Sequence, residues 1–229
     1  MLKVLYEDNH IIAVSKRSSD LSQGDKTGDT SLDIEVKKYI AEKYNKPGDV
    51  FLGIVHRLDR PVSGVILYAR TYKALQRLNE MFRTTQVTKV YLAIVRERPP
   101  EDQATITHFL KKNEKQNKTY VYDNEVKGSK NASLTYRIAG RSDRYYHLEI
   151  MLHSGRHHQI RAQLAAIGCP IRGDIKYGFH RTNEDGSIHL HARRVEFIHP
   201  VSKEPMCIEA QPPEDVLWDY FGCLVAGGR

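Results

Sequence analysis

Hydrophobic and polar positions along the chain follow two different periods, which predicts a protein that mixes β-strands with α-helices. Helical spacing of apolar residues predicts helices within residues 30–48, 71–83, 153–168 and 214–221. Short runs rich in β-branched and aromatic residues predict strands at residues 2–6, 11–16, 51–55, 65–69, 88–96, 132–138, 145–152, 188–198 and 206–210. Strands outnumber helices and arrive partly in hairpins. The pattern therefore predicts an α+β fold with a mixed, mostly antiparallel sheet flanked by helices and loops.

The pattern loosens between residues 99 and 130, where polar side chains dominate. The lysine-rich stretch KKNEKQNKTYVYDNEVKGSKN, which begins at Lys111, predicts a surface hairpin or a long loop. No internal repeat appears, and no Pro/Gly/Ser-rich linker divides the sequence. We therefore predict a single domain over residues 1–229.

The net charge of the chain indicates which class of binding partner it favours. Lys and Arg number 35 against 28 Asp and Glu, which gives a net charge of +7. This surplus favours a polyanionic partner such as nucleic acid or an anionic membrane, although simple solubility explains it equally well. The 40% hydrophobic content and the absence of low-complexity tracts exclude a disordered chain.

Cysteine usage and the start of the chain predict a cytoplasmic protein without a membrane partner. The three cysteines are an odd number and show no CxxC spacing, which fits a reducing compartment. The first residues include acidic side chains where a signal peptide would need an apolar stretch. No run approaches the roughly 18 apolar residues that cross a bilayer.

The segment GIVHRLDRPVSGVILYAR, residues 53–70, places a charged cluster between two apolar runs. Taken alone, Asp59 between Arg57 and Arg60 is most simply a surface ion pair that holds a turn. The flanking strands can hold the carboxylate rigidly, however, and Pro61 and Gly64 restrict the backbone after it. Nearby cations favour the ionised form of Asp59, which a carboxylate nucleophile requires.

A second cluster, SGRHHQIR at residues 154–161, leads from a glycine-containing turn into a helix. It presents Arg156 and Arg161. Helix N-terminal amides and paired arginines suit an anionic group, either a phosphate or a carboxylate.

Four motifs in series resemble the RluA family of RNA pseudouridine synthases: HRLDRPVSG, TKVYLAIV, SGRHHQIRAQLAAIGCPIRGDIKYG and LHARRVEFIHP. The resemblance covers nearly the whole chain. It implies the pseudouridine synthase fold and an isomerase that converts uridine to pseudouridine in RNA. It also implies that neither a metal nor another cofactor takes part. The implied partner is structured ribosomal RNA, transfer RNA or both, with no obligate protein partner, and a monomer is the default.

The resemblance assigns roles to individual residues. Asp59 matches the catalytic aspartate, Tyr91 an active-site tyrosine that stacks on the target base, and Arg161 an arginine that pairs with the aspartate. Arg57 matches a residue that enters the RNA stack when the target nucleotide flips out. The predicted RNA-binding residues are Arg57, Lys89, Arg156, His158 and Arg172, with Arg60 either contacting phosphate or simply solvated. Whether the aspartate attacks the sugar, adds to the base or removes a sugar proton stays open.

The sequence departs from the family pattern at Arg17, Val62 and His157, where proline, threonine and a hydroxyl residue are usual. These departures predict altered substrate contacts and retained chemistry. The chain begins directly with catalytic-domain sequence, so we expect no S4-type RNA-binding domain. RNA affinity is then expected to include basic side chains of the catalytic domain, namely Lys111, Lys112, Lys115, Lys118, Arg172, Arg181, Arg193 and Arg194.

Three other functions fit the sequence less well. The histidines could form a zinc site; the candidate ligands are His153, His157, His158, His189 and His191. However, Ser154-Gly155 interrupts the helix that His153 and His157, four residues apart, would need to bind one metal ion. A carboxylate-pair glycosidase lacks a second acid in a recognisable motif, and Asp174 is predicted to be a turn residue. The main alternative is a non-catalytic RNA-binding module on the same fold.

Overall fold

The computed structural model describes residues 2–24 and 29–227, and these residues form two compact units. The first unit contains the residues up to Thr88 together with Ala192–Gln211, and the second contains Lys89–His191 with the residues from Pro212 onward. The strands are β1 (Lys3–Glu7), β2 (Ile11–Lys16), β3 (Gly53–Ile54), β4 (Ser63–Ala69), β5 (Thr88–Val95), β6 (Gln103–Asn113), β7 (Lys118–Tyr122), β8 (Lys130–Arg141), β9 (Tyr146–Leu152), β10 (Leu190–Ile198) and β11 (Pro205–Glu209). The helices are α1 (Leu32–Lys43), α2 (Tyr72–Arg83), α3 (Gln159–Ala166) and α4 (Val216–Gly227). No helix in the described ranges has the length and apolar composition to span a bilayer.

The first unit is built on the strand order β1-β2-β4-β10, with β3 paired to β4 and β11 to β10. β2 pairs antiparallel with both β1 and β4, and its last residue, Lys16, lies opposite Gly64. A core of aliphatic and aromatic side chains fills one face of this sheet; it includes Ile11, Val65, Leu67, Leu78, Val195, Phe197 and Ile208. All seven residues of β4 are buried. This is why the run VILYA reads as continuously apolar in the sequence.

Helix boundaries in the first unit largely follow the sequence signals. Thr71 caps α2, with its Oγ1 accepting a hydrogen bond from the backbone N–H of Ala74 at 3.2 Å. α1 begins after Ser31, whose hydroxyl bonds to the Asp33 carboxylate instead of a backbone N–H. The predicted strand at 51–55 shrinks to the two residues of β3.

The second unit has the strand order β5-β9-β8-β6-β7, and its neighbouring strands are antiparallel. β6 and β7 form the predicted hairpin. The sequence did not predict the first part of β6 as a strand. Only every second side chain there is partly buried, and the others are exposed. In α3, Gln159 to Leu164 are all buried, so the polar side chains of this stretch are enclosed together with the apolar ones.

The C-terminal helix of the second unit packs on a buried histidine of β9. His147 is 5% exposed, and neither ring nitrogen has a hydrogen-bond partner in the described part of the chain. Its ring stacks on Phe221, with centroids 5.1 Å apart, and meets the edge of Trp218. Burial lowers the pKa of His147 to about 4. The fold therefore holds this imidazole neutral.

We expect the His147→Phe variant to be more stable, by about 1–2 kcal/mol at neutral pH, because two unsatisfied nitrogens are removed. The wild-type histidine binds a proton in the unfolded state near pH 6.5 and in the folded state only near pH 4. Stability should thus fall by about 3 kcal/mol as pH drops through this window, and the variant should lack that loss. Urea unfolding followed by Trp218 fluorescence measures both, with the exposed His180→Phe as control. Equal pH slopes for wild type and His147→Phe would contradict the assignment.

Candidate functional site

Asp59 lies in a loop of residues 55–62 that joins β3 to β4 in the first unit. The residue is half-buried, and its carbonyl accepts a hydrogen bond from the N–H of Val62 at 3.0 Å, which closes a tight turn. Gly64 follows with φ of +124°, and a Cβ there would lie 2.2 Å from the carbonyl oxygen of Ala192. Only glycine fits this position. The turn and the glycine together fix where β4 begins after Asp59.

Backbone groups on both sides of Asp59 are held by residues distant in the sequence. The Ser22 hydroxyl accepts from the N–H of Leu58 at 3.1 Å and donates to its carbonyl at 2.7 Å. The carbonyl of Arg60 accepts from the N–H of Ser19 at 2.9 Å. These bonds restrain the residues that flank Asp59, so its side chain starts from a rigid backbone.

Lys16 connects the end of β2 to the same loop. Its side chain is 1% exposed, and its ammonium donates to the carbonyls of Arg17 (2.9 Å), Arg60 (2.9 Å) and Val62 (2.7 Å). Burial lowers the pKa of Lys16 to about 8, and nearby negative charge, including that of Asp59, opposes this shift. The first unit thus places a positive charge near the Asp59 carboxylate while holding the loop at two points.

The two arginines beside Asp59 differ in their surroundings. Arg57 is exposed. Arg60 is also exposed, and its guanidinium contacts the Asp29 carboxylate at 2.8 Å and the Ser19 carbonyl at 3.1 Å. Ion pairs between side chains this exposed contribute little to stability, so the Arg60 contact can be exchanged for another anion at small cost.

Arg161 lies in α3 of the second unit and forms a buried bidentate ion pair with Asp174. Its Nε and Nη2 contact the two carboxylate oxygens at 2.7 and 2.9 Å, and the side chains are 6% and 1% exposed. Asp174 does lie at a turn, directly before a short 3-10 helix at Ile175–Tyr177. Its main role in the structure is nevertheless the contact with Arg161, which the sequence did not reveal. The predicted pairing of Arg161 with Asp59 stays a prediction.

Aromatic and imidazole groups complete the surroundings of Arg161. The Tyr177 ring lies under the guanidinium, with 5.1 Å between the guanidinium carbon and the ring centroid. The Tyr177 hydroxyl accepts from the N–H of Thr119 at 2.8 Å and lies 2.9 Å from Nδ1 of His158. Burial first, and then the charge of Arg161, lowers the pKa of His158 to about 2. His158 is therefore neutral, and its Nδ1 can accept a hydrogen bond from the Tyr177 hydroxyl.

His158 also has an unusual backbone. It precedes α3 with φ of +50°, in the left-handed region. Its ring stacks on His157, with centroids 3.8 Å apart. A buried, neutral imidazole in this position supports the Arg161 cluster, while the predicted RNA contact of His158 stays a prediction.

The other candidate residues of the second unit occupy three places. Tyr91 and Lys89 lie on β5, Tyr91 half-buried and Lys89 8% exposed. Arg156 is exposed and donates through Nε to the carbonyl of Asn131 at 3.1 Å. Arg172 is half-buried and contacts Asn183 and His189 at 3.0 and 3.1 Å. Arg172 is thus engaged within its own unit.

The histidines that suggested zinc each have other partners. His153 contacts Thr135 at 2.8 Å, and His157 contacts Thr119 at the same distance. His189 stacks on Trp218. Across residues 2–24 and 29–227, no three His, Cys, Asp or Glu side chains are grouped as a metal ion would require.

Comparison with known proteins gives a consistent set of relatives. A family model described as RNA pseudouridylate synthase matches residues 10–166. A tRNA pseudouridine synthase C of Pectobacterium carotovorum is 29% identical, over 92% of this chain and 59% of the relative. A ribosomal large subunit pseudouridine synthase C of Rickettsia prowazekii is 30% identical, over 92% and 68%. A tRNA pseudouridine synthase C of Salmonella typhimurium is 31% identical, over 92% and 85%. The chain thus spans less than two thirds of the first relative.

Two solved structures share the fold. The human RNA pseudouridylate synthase domain containing 4 matches with a TM-score of 0.78 at 18% identity, over 98% of this chain and 93% of the other. The human domain containing 1 matches with a TM-score of 0.72 at 21% identity, over 96% and 87%. These likenesses confirm the predicted α+β fold and its mostly antiparallel sheet.

Proposed function

The chain belongs to the family of RNA pseudouridylate synthases, and we propose on that premise that it converts uridine to pseudouridine in ribosomal or transfer RNA. The observation that carries the proposal is the Asp59 loop, in which Ser19, Ser22 and Lys16 hold the backbone around one carboxylate. A binding module has no use for a carboxylate held this rigidly, because a negative charge weakens contact with RNA.

The proposed catalytic residues are Asp59, Tyr91 and Arg161, with roles carried over from the family. Asp59 acts on the uridine, Tyr91 stacks on the flipped base, and Arg161 stabilises the carboxylate. The bond from N1 to C1′ breaks and a bond from C5 to C1′ forms; C5 then releases its hydrogen as a proton, and N1 takes up a proton, so the product is an isomer of uridine. The reaction involves no redox change and no group transfer to water, so the proposal includes neither a metal nor another cofactor.

RNA binding in this proposal uses exposed arginines and the basic hairpin. Arg57 is exposed beside Asp59 and can fill the gap that a flipped uridine leaves. Lys111, Lys112 and Tyr120 line a surface pocket of about 360 Å³ on the β6–β7 hairpin. Under the same proposal residues 1–229 work as one catalytic domain, and the protein acts as a monomer in the cytoplasm without an obligate protein partner.

Release of tritium from RNA labelled at uracil C5 tests the proposed activity. Purified protein is incubated with total RNA, and then with separated transfer and ribosomal RNA. Release by the wild type, and none by the Asp59→Asn variant, is the expected result. No release from any fraction by folded protein would favour the non-catalytic RNA-binding module.

Replacing Lys16 by methionine should lower the rate of tritium release by about a hundredfold, because the Asp59 loop loses a donor to two carbonyls and shifts slightly. The wild-type rate should also fall as pH rises above about 8, where the folded Lys16 loses its proton. The residual activity of Lys16→Met should lack that alkaline decline. The exposed Lys3→Met is the matched control. Full activity of Lys16→Met would show that Lys16 is not needed to position the Asp59 loop.

A further inference from the structure

Lys89 is a buried cation for which the described residues supply no anion. Its side chain is 8% exposed, and it makes no hydrogen bond or ion pair with any residue in the described ranges. Burial lowers the pKa of Lys89, and the positive charge of Arg156 lowers it further. An ammonium in this situation destabilises the fold, since it has lost most of its contact with water and gained no partner. Such a loss of folding stability is expected at a site that binds a ligand.

Arg156 brings a second positive charge to the same place. Arg156 directly follows Gly155 in the chain, and its positive charge contributes to the lowered pKa of Lys89. Only its Nε and backbone N–H are engaged, by the Asn131 carbonyl and by the Gln159 side chain, and no carboxylate in the described part of the chain pairs with it. The rest of the guanidinium fork is therefore available to an external acceptor.

Gly155 leaves space beside the Lys89 ammonium. A methyl group at this position would lie 3.7 Å from Nζ of Lys89. The glycine itself is exposed, so an anion from solvent can reach the ammonium over its backbone. A buried ammonium beside an open glycine, with an exposed arginine as the next residue, suits a group that carries its own negative charge and several acceptor oxygens.

We propose that Lys89, beside Gly155, and the adjoining Arg156 bind one phosphate of the RNA backbone next to the nucleotide whose base stacks on Tyr91. Lys89 and Tyr91 are two residues apart on β5 and so face the same side of the strand, roughly 7 Å apart. A nucleotide can thus place its base on Tyr91 and an adjoining phosphate on Lys89. The link to Tyr91 rests on the proposed function, whereas the phosphate site itself does not.

Replacing the phosphodiester linkages of an RNA one at a time tests the site by measuring binding affinity alone. We call this series the linkage scan. The probe is a short single-stranded RNA with one uridine, in which each phosphate in turn is replaced by an uncharged methylphosphonate. All proteins carry Asp59→Asn so that the RNA stays unmodified, and fluorescence anisotropy gives the dissociation constant. One linkage beside the uridine should weaken binding roughly tenfold to a hundredfold, as expected for a charge-assisted hydrogen bond. Lys89→Met should weaken binding of unmodified RNA equally and be insensitive to that linkage.

Two variant pairs separate this site from general charge effects. The exposed Lys73→Met removes the same charge and should keep the full linkage effect. Gly155→Asp places a carboxylate beside Lys89, so it should raise the urea midpoint and weaken RNA binding, whereas Gly155→Asn should do neither. Lys89→Met should also raise the urea midpoint, because a buried unpaired charge is removed.

Several outcomes would overturn the proposal. One is a flat linkage scan, and another is unchanged RNA binding by Lys89→Met. If Lys89→Met lowers the urea midpoint, Lys89 is a structural residue. If inorganic phosphate stabilises the wild type but not Lys89→Met while the linkage scan is flat, the site takes free phosphate and not RNA. A positive scan combined with no tritium release would retain the phosphate site and reject the proposed catalysis.

Discussion

Replacement of Asp59 by asparagine is expected to reduce tritium release from uridine-labelled RNA on the order of 10⁴-fold or more, as for loss of an essential nucleophile or base. The amide has nearly the same shape as the carboxylate but cannot ionise, so it can neither attack the sugar, add to the base nor take a proton. The backbone bonds of Ser22 to Leu58 and of Lys16 to Arg60 do not involve the Asp59 side chain. The loop should therefore keep its conformation.

The control for this result is that the variant stays folded and binds RNA. The urea midpoint of Asp59→Asn should lie close to that of the wild type or slightly below it, because the favourable interaction between the Asp59 charge and Lys16 is lost. Its RNA affinity should be equal or higher because a negative charge near the RNA is gone. Appreciable turnover by Asp59→Asn, or by Asp59→Ala, would reject the catalytic assignment. Loss of folding in both variants would instead identify Asp59 as structural.

Replacement of Asp174 by alanine is expected to destabilise the protein by about 3–5 kcal/mol, because it removes the bidentate partner of a buried guanidinium. Pseudouridine formation should fall as well, since Arg161 loses the contact that fixes its orientation over Tyr177. Asp102→Ala is the matched control. It breaks an Arg–Asp pair with Arg98 in which the carboxylate is 78% exposed, and it should cost no more than about 1 kcal/mol.

A double variant separates stability from catalysis at this pair. Arg161→Met combined with Asp174→Leu removes both buried charges, and it should recover most of the stability that Asp174→Ala loses. It should remain inactive, because the proposed stabilisation of the Asp59 carboxylate is gone. Recovery of activity along with stability would show that Arg161 and Asp174 only maintain the fold. Equal destabilisation by Asp174→Ala and Asp102→Ala would contradict the buried pairing.

Local patterns in the sequence predicted most elements of the fold. The helix at 71–83 carried a capping threonine and an apolar face, and α2 follows it closely. The runs at 11–14 and 65–69 are uniformly apolar because both stretches are buried. The motif series identified the family, which is confirmed. These features depend on neighbours in the chain, and a single sequence records them directly.

The sequence determined the strands, the helices, the family and the candidates Asp59, Tyr91 and Arg161. Only the tertiary structure showed which distant residues hold the Asp59 loop and Arg161 in place. Lys16 reaches carbonyls that lie 44 and 46 residues away, and Asp174 is 13 residues from Arg161 in the chain. No periodicity marks such contacts, because they arise where distant segments pack together. Burial then decides whether each charge is solvated, paired or, as at Lys89, left for a ligand.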